Sequence, residues 1–122
     1  MKMVLHCEKY YLDIYRFLDG DIYFEFGDNE YTRDILTESE LDQIIDSLED
    51  CINKSSGSEL LGAFTNTIHN SKEMYLSVNW NKSDDEFVLS VRNKRNGVDF
   101  EIHLNRTEFL EFVGNCKNMF EK

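Results

Sequence analysis

The chain has 122 residues, of which 41% are hydrophobic and 30% charged, and its formal net charge at pH 7 is −11. This composition excludes a disordered chain, and the length leaves too little apolar surface for two independent cores, so we expect a single domain over residues 1–122. The excess of acids excludes generic nucleic-acid binding and adsorption to anionic membranes, because both require clustered lysine and arginine.

Period-two alternation of apolar residues predicts antiparallel strands in the first half of the chain. Strands are expected over Tyr10–Leu18 and Ile22–Phe26, joined by the tight turn LDGD. A third strand follows the GDN turn, over about Glu30–Leu36, and Met3–Cys7 is a candidate for a further strand. This part of the chain is therefore predicted to form an antiparallel sheet.

The segment TESELDQIIDSLEDCI predicts an amphipathic helix, because its apolar residues recur every three or four positions. Those residues are Leu41, Ile44, Ile45, Leu48 and Ile52. Thr37 and Glu40 have the spacing of a reciprocal capping box, and Leu36 can contact Leu41 as a hydrophobic staple. We therefore expect the helix to begin just after Thr37.

The second half of the chain repeats this order of elements. Alternating apolar residues predict three strands, over Glu73–Trp80, Glu86–Arg92 and Val98–Leu104. A second helix is expected after Asn105. The segment Leu60–Asn70 suits either a helix or a strand, and a strand over Ala63–Ile68 is the favoured interpretation.

The two helical segments match each other at an offset of 68 residues. At this offset Asn105 matches Thr37 as the N-cap, and Glu108 matches Glu40. The apolar positions also match, pairing Leu41, Ile44, Ile45, Leu48 and Ile52 with Phe109, Phe112, Val113, Cys116 and Phe120. The match predicts an α+β fold with a duplicated β-β-β(-β)-α unit, at about residues 1–53 and 59–122, and antiparallel sheets packed with two amphipathic helices.

The repeat is imperfect in the third predicted strand of the first unit. There Thr32 and Asp34 occupy the positions of Phe100 and Ile102, so polar side chains stand on the side that is expected to face the core. Such a strand is expected either to contain a β-bulge or to lie at the edge of a sheet.

The acidic residues are concentrated in the first half of the chain. Residues 1–52 hold fourteen of the 24 acids and four of the 13 bases, a net charge of −10, whereas the remaining residues have a net charge of −1. Six of these acids fall between Asp19 and Asp34, where aromatic residues separate them and Arg33 is the single base. Such a stretch favours a partner with a basic surface.

Three cysteines, Cys7, Cys51 and Cys116, form no CxxC pair and are expected to be reduced thiols, the last two packed in the core. No apolar run approaches the ~20 residues of a membrane-spanning helix. The first residues, MKMVLHCEKYY, lack the apolar core of a signal peptide. We therefore expect a cytoplasmic protein.

The sequence contains no catalytic or metal-binding motif. An EF-hand loop that begins at Asp19 would place Asp21 and Glu30 at ligand positions, but Tyr23 is at its fifth position and Phe24 is at the sixth, where the motif has glycine. GxSxG, glycine-rich phosphate-binding and HExxH motifs do not occur. We expect a protein that is not an enzyme and that uses no metal or other cofactor.

The order of elements resembles the Whirly and PC4-type single-strand binders, which carry a duplicated unit of antiparallel strands and a helix. Their sheet faces are basic, and the chain lacks the KGKAAL stretch of Whirly proteins, so their binding activity is not expected here. In size, acidity and absence of a catalytic motif, the chain is similar to immunity proteins of contact-dependent inhibition and related polymorphic toxin systems. That resemblance implies a cytoplasmic toxin inhibitor that neutralises one cognate toxin, often a nuclease.

Charge and resemblance together predict an acidic surface that binds a protein toxin with a basic surface. The contact candidates are Asp19, Asp21, Tyr23, Glu25, Asp28, Glu30, Asp34, Asp42, Asp46 and Glu49. Neither nucleic acid nor a membrane is expected as a partner. Two alternatives stay open: a phage-type DNA mimic that inhibits a host nuclease, and a small dimeric sheet protein with a ligand- or protein-binding role.

Overall fold

The structure, a computed structural model, describes residues 2–28, 30–57 and 62–119, and it contains the same order of elements twice. The first unit consists of β1 (Lys2–Cys7), β2 (Tyr10–Arg16), β3 (Ile22–Gly27), β4 (Tyr31–Leu36) and α1 (Glu38–Gly57). The second unit consists of β5 (Ala63–Asn70), β6 (Met74–Asn81), β7 (Glu86–Asn93), β8 (Asp99–Asn105) and α2 (Arg106–Asn118). The predicted duplicated α+β arrangement is confirmed.

Each unit forms one four-stranded antiparallel sheet in which neighbouring strands follow one another in the chain. Sheet A has the order β1-β2-β3-β4, and sheet B has the order β5-β6-β7-β8. The additional strand is therefore present in both units, since Met3–Cys7 falls within β1 and Ala63–Ile68 within β5. Leu60 and Leu61 lie outside the described residues.

The inner sides of both sheets and the apolar sides of both helices form one hydrophobic core. Sheet A contributes residues that alternate along β2 and β3, namely Leu12, Ile14, Ile22, Phe24 and Phe26. In the second unit, the Phe87 ring of β7 stacks on the Phe109 ring of α2, with 4.1 Å between the centroids. The apolar helix positions matched by the repeat are buried, except that Ile52 is half-buried and Phe120 lies outside the described residues.

Both cysteines whose side chains are described, Cys51 and Cys116, are buried free thiols. Burial raises the pKa of Cys51 to about 11 and that of Cys116 to about 12, so both thiols are protonated at neutral pH. The predicted core packing of these two residues is confirmed. The side chain of Cys7 lies outside the described residues.

Both helices begin at the predicted capping boxes. Thr37 Oγ1 accepts a hydrogen bond from the Glu40 backbone N–H at 3.0 Å, and Glu40 Oε1 accepts one from the Thr37 N–H at 2.9 Å. Asn105 and Glu108 make the same reciprocal pair at 2.8 and 2.9 Å. Each box satisfies two backbone donors at a helix start. Among the described residues, neither helix is long and apolar enough to cross a bilayer.

The position of β4 at the edge of sheet A accounts for its polar inner side. Its register with β3 is regular from Tyr31 to Leu36, so of the two predicted alternatives the edge position is confirmed and a bulge in this strand is wrong. The register shift occurs instead in β5, between Thr67 and His69.

Polar side chains on the inner side of β4 bond to sheet B. The Asn93 side-chain amide donates to Thr32 Oγ1 at 3.1 Å. His69 Nε2 lies 2.7 Å from Asp34 Oδ2, and because an ionised carboxylate only accepts, the imidazole N–H is the donor. These two contacts satisfy polar groups that would otherwise be buried without partners.

Arg16 of β2 holds the first unit against the end of α2. Its guanidinium donates to the Met119 carbonyl, the C-cap of α2, at 2.8 and 3.1 Å. The same side chain donates to the Glu38 carboxylate at 2.8 Å and to the Gly20 carbonyl at 2.9 Å. The turn between β2 and β3 therefore lies beside the first turn of α1.

Replacement of Asp34 by Asn tests the contact between β4 and β5. Burial raises the pKa of the Asp34 carboxyl, but hydrogen bonds from His69 and Ser71 lower it more, so the pKa lies below its ordinary value. A lowered pKa stabilises the fold fully above the unfolded-state pKa of about 3.9, and this stabilisation is lost as the pH falls through the folded-state value. We expect Asp34→Asn to lower the free energy of unfolding at pH 7 by about 1–3 kcal/mol.

Urea unfolding at several pH values measures this effect, and the difference between wild type and variant should shrink below about pH 4. Asp42→Asn, on the exposed side of α1, is the control and should change the stability by less than about 0.5 kcal/mol. Equal stabilities of wild type and Asp34→Asn at pH 7 would contradict a stabilising contact between the sheets.

Candidate protein-binding face

The outer side of sheet A carries a group of aromatic residues. Side chains alternate across a strand, and the registers place Tyr15, Tyr23 and Ile35 side by side on β2, β3 and β4, away from the core. A second row crosses the sheet through Glu25. The name outer face is used here for the surface formed by Tyr11, Asp13, Tyr15, Phe17, Tyr23, Glu25, Tyr31, Arg33 and Ile35.

Glu25 lies at the centre of the outer face. Its carboxylate accepts hydrogen bonds from the Tyr11 hydroxyl at 2.6 Å, the Tyr15 hydroxyl at 2.9 Å and Arg33 Nε at 2.8 Å. Burial raises the pKa of Glu25, but these three hydrogen bonds lower it more, so the carboxyl is ionised at neutral pH. Asp13 is opposite Glu25 on β2 and is buried, so two carboxyl groups are adjacent on this face.

Arg33 connects Glu25 to three aromatic rings. Its guanidinium carbon lies 4.9 Å from the centroid of the Tyr31 ring, 5.6 Å from that of Tyr23 and 5.7 Å from that of Phe17. The Phe17 and Tyr23 rings pack edge to face at 5.1 Å. Separations below about 6 Å are those of cation–π contacts. The outer face therefore already holds one guanidinium group between aromatic rings and a carboxylate.

Part of this aromatic group is open to solvent. The exposed fraction is 43% for Phe17, 54% for Tyr31 and 63% for Ile35. With Leu18 in the adjacent turn, they are four of the five large hydrophobic residues that are exposed within the described part of the chain. Phe17, Tyr31 and Ile35 share the outer side of sheet A and form an apolar patch, which scattered exposed residues would not do.

Acidic turns bound the outer face at both ends of β3. Asp19 and Asp21 lie in the β2–β3 turn, and Asp28 and Glu30 lie between β3 and β4, about 20 Å away along six strand residues. Asp19 Oδ1 accepts from the Asp21 N–H at 2.9 Å, and Asp28 Oδ1 accepts from the Glu30 N–H at 3.0 Å. These local bonds fix the turns. The four residues are called the acidic rim.

The remaining candidates from the sequence lie elsewhere. Asp42 and Asp46 are on the exposed side of α1, and Glu49 forms an ion pair with Lys117 of α2 at 3.1 Å. Asp34 faces inward and is bonded to His69, so it does not contribute to an open acidic surface. The ten candidates therefore do not form one patch: Tyr23 and Glu25 belong to the outer face, and the acidic rim lies in the turns at the two ends of β3.

Seven of the nine residues of the outer face are absent from the candidates predicted from the sequence: Tyr11, Asp13, Tyr15, Phe17, Tyr31, Arg33 and Ile35. The alternation of side chains along β4 could have identified three of them, Tyr31, Arg33 and Ile35. Because Leu36 was expected to pack against the helix, every second residue before Ile35 had to point outward with it.

Other kinds of site have less support in the structure. Within residues 2–28, 30–57 and 62–119, no group of three or more His, Cys, Asp or Glu side chains is arranged to hold a metal ion. A cavity of about 480 Å³ lies on sheet B, but it is an open groove lined by side chains that include Thr65, Asn79, Asp84 and Glu86. Its Glu86 carboxylate is already bonded to His103 at 2.8 Å.

No protein-family model and no curated protein matches the chain by sequence. Among solved structures, the chain is similar to one titled crystal structures of Trypanosoma brucei MRP1/MRP2, with a TM-score of 0.50 and 12% identity, over 99% of this chain and 84% of that chain. WHY3 and WHY1 from Arabidopsis thaliana align with TM-scores of 0.38 and 0.37, at 12% and 14% identity, over 98% of this chain and 86% and 88% of theirs.

The first of these likenesses shows a shared fold alone, and the other two are too distant to carry an argument. The duplicated sheet-plus-helix arrangement that the Whirly resemblance implied is confirmed by the two sheets and two helices themselves. The resemblance to immunity proteins stays a prediction.

Replacement of Glu25 by Gln tests the hydrogen-bond network of the outer face. Burial, followed by the hydrogen bond to Glu25, raises the pKa of Tyr15 to about 12, and the same two causes raise that of Tyr11. Glu25→Gln keeps the size of the side chain and removes its charge. We expect the pKa values of both hydroxyls to move toward the ordinary value of about 10 without reaching it, because burial remains.

Carbon NMR of isotope-labelled tyrosine rings, recorded during an alkaline titration, measures these pKa values. Glu101→Gln, on the exposed side of β8, is the matched control and should leave the two rings unchanged. Unchanged titration of Tyr11 and Tyr15 in Glu25→Gln would show that the carboxylate does not hold these hydroxyls in solution.

Proposed function

We propose that the chain is a non-enzymatic inhibitor of the immunity-protein type, which acts in the cytoplasm and neutralises a cognate protein toxin that has a basic surface. The observation that carries the proposal is the concentration of charge: −10 of the net −11 belongs to residues 1–52, the unit that also has the exposed aromatic patch. Acids attract a basic partner over a distance, and aromatic side chains supply contact energy.

Two acids of α1, Asp42 and Asp46, support this proposal because their charge is not used within the fold. Asp42 and Asp46 are one helical turn apart and exposed, and among the ion pairs of the described residues neither takes part in one. Like charges at this spacing slightly destabilise a helix. A binding function explains why such an arrangement would be kept.

Inhibition of a nuclease toxin would follow from occupancy. In this mechanism the carboxylates take the places of RNA or DNA phosphates against the lysines and arginines of the toxin cleft, and substrate is excluded. The mechanism needs no covalent step, metal or cofactor. Long-range attraction would raise the association rate, and salt would lower it by screening.

The two alternatives predict different partners. A phage-type DNA mimic uses the same carboxylate chemistry but would be captured with a host nuclease and not with a toxin. A dimeric sheet protein would be captured with itself. The acidic rim disfavours this second alternative, because two copies that meet through sheet A would bring like charges together.

Affinity capture on the full-length chain in its native cells identifies the partner, and an activity assay then tests inhibition. We expect a protein with a basic surface whose toxic activity the chain suppresses. An acidic partner, or an association rate that does not change with salt, would overturn the proposal.

Charge reversal on α1 tests the contribution of the acids to association. For the double variant Asp42→Lys with Asp46→Lys, we expect the association rate with the captured partner to fall about tenfold at low salt, with little change in the dissociation rate. The matched control reverses two exposed acids of the second unit, Asp84→Lys with Glu101→Lys, and should have a smaller effect. Equal effects of the two double variants, measured by stopped-flow mixing, would show that only the net charge matters.

A further inference from the structure

We infer that the outer face of sheet A is the docking surface for the partner, and that it receives arginine side chains presented among apolar residues. The inference deepens the proposed function, on which it rests for the basic character of the partner. Two further points, which surface binds the partner and which side chain of the partner it binds, follow from the contacts within the outer face.

The centre of the outer face has the composition of a protein-binding hot spot. Tyr and Arg are enriched among the residues that dominate binding energies, and here both occur beside the exposed Phe17, Tyr31 and Ile35. These side chains leave apolar surface in water that the core does not use. A partner that covers them would gain the free energy of burying that surface.

Arg33 shows which side chain the outer face is suited to hold. The exposed guanidinium lies within 5.7 Å of the centroids of the Tyr31, Tyr23 and Phe17 rings and is bonded to the Glu25 carboxylate at 2.8 Å. Since about half of the Tyr31 side chain and two-fifths of Phe17 are exposed, their rings remain open to a second guanidinium from outside. Arginine is better suited than lysine, because its planar group stacks on aromatic rings.

The acidic rim selects the occupant by charge. Two of its acids, Asp19 and Asp21, lie in the turn at one end of β3, and Asp28 and Glu30 lie in the turn at the other end. An apolar centre with a charged border is the usual anatomy of a protein interface. A partner with a basic surface would be attracted to these carboxylates, whereas a second copy of the chain would be repelled by them.

Sheet B shows that the fold does not require this composition. The outer side of its β5, β6 and β7 strands has one aromatic residue, Tyr75, and includes the small polar residues Thr65, Thr67, Ser77, Asn79 and Ser90. Two of these, Thr65 and Asn79, bond to each other across the strands. The two sheets have the same topology, so the aromatic residues of the outer face are a property of the first unit and not of the architecture.

Amide chemical-shift mapping on the full-length chain tests the inference without a known partner. The probe is a five-residue peptide of alternating leucine and arginine, with blocked termini. Control peptides carry lysine or glutamate in place of arginine. We expect shift changes confined to β2, β3, β4 and the turns between them, weaker binding of the lysine peptide and no binding of the glutamate peptide.

Substitutions at exposed positions identify the contact side chains without threatening the fold. The double variant Tyr31→Ala with Ile35→Ala should weaken binding of the arginine peptide by about tenfold or more. Leu110→Ala, which removes a comparably exposed apolar side chain from α2, is the matched control and should bind as the wild type does.

Three results would overturn the inference: shift changes on α1 in place of sheet A, equal binding of the glutamate peptide, or an equal loss in Leu110→Ala. A fourth such result would come from sedimentation analysis, if the wild-type chain formed a dimer and Ile35→Ala dissociated it. The outer face would then bind a second copy of the chain. These results differ from a failure of the proposed function. In that case the arginine peptide would still bind to sheet A, but the captured partner would not be a toxin.

Discussion

One constraint organises this molecule: each four-stranded sheet has two sides, and only one of them can be buried in the shared core. The inner sides are therefore fixed by packing, and their residues are mainly apolar; the polar exceptions include Asn93 and His69 of sheet B and two residues of the edge strand β4. There, Thr32 and Asp34 reach polar partners on sheet B, so even the exceptions satisfy the constraint. The outer sides do not have to pack in the core, so differences in composition between them are not set by the fold.

The period of apolar residues and the capping pairs were sufficient to predict most strands, both helix starts and the duplication, because these are local signals. The strands β1 and β5 stayed open, since their alternation is weaker. The candidate site was predicted less well. Neighbouring residues of a strand point to opposite sides, so Asp34 and Arg33 are adjacent in sequence but on different surfaces. The exposure of Ile35 and Tyr31 depends on what covers β4, which sequence does not report.

The two units have the same architecture and different surfaces. The first has the acids, the exposed aromatic residues and Arg33 over its rings, and the second has a nearly neutral charge and small polar residues on its outer side. Long-range attraction by the acids and short-range contact with the aromatic patch are complementary contributions to binding, because the first sets the encounter rate and the second the lifetime of the complex. Their presence on one unit is the basis of the account given for this protein.

Photo-crosslinking in native cells tests that account most directly. A photoreactive phenylalanine analogue is placed at Tyr31 on the outer face of sheet A or, as the comparison, at Tyr75 on the outer side of sheet B. The account predicts an adduct from the Tyr31 position alone, joined to a peptide of another protein that contains arginine. An adduct from the Tyr75 position alone, or one between two copies of this chain, would contradict it.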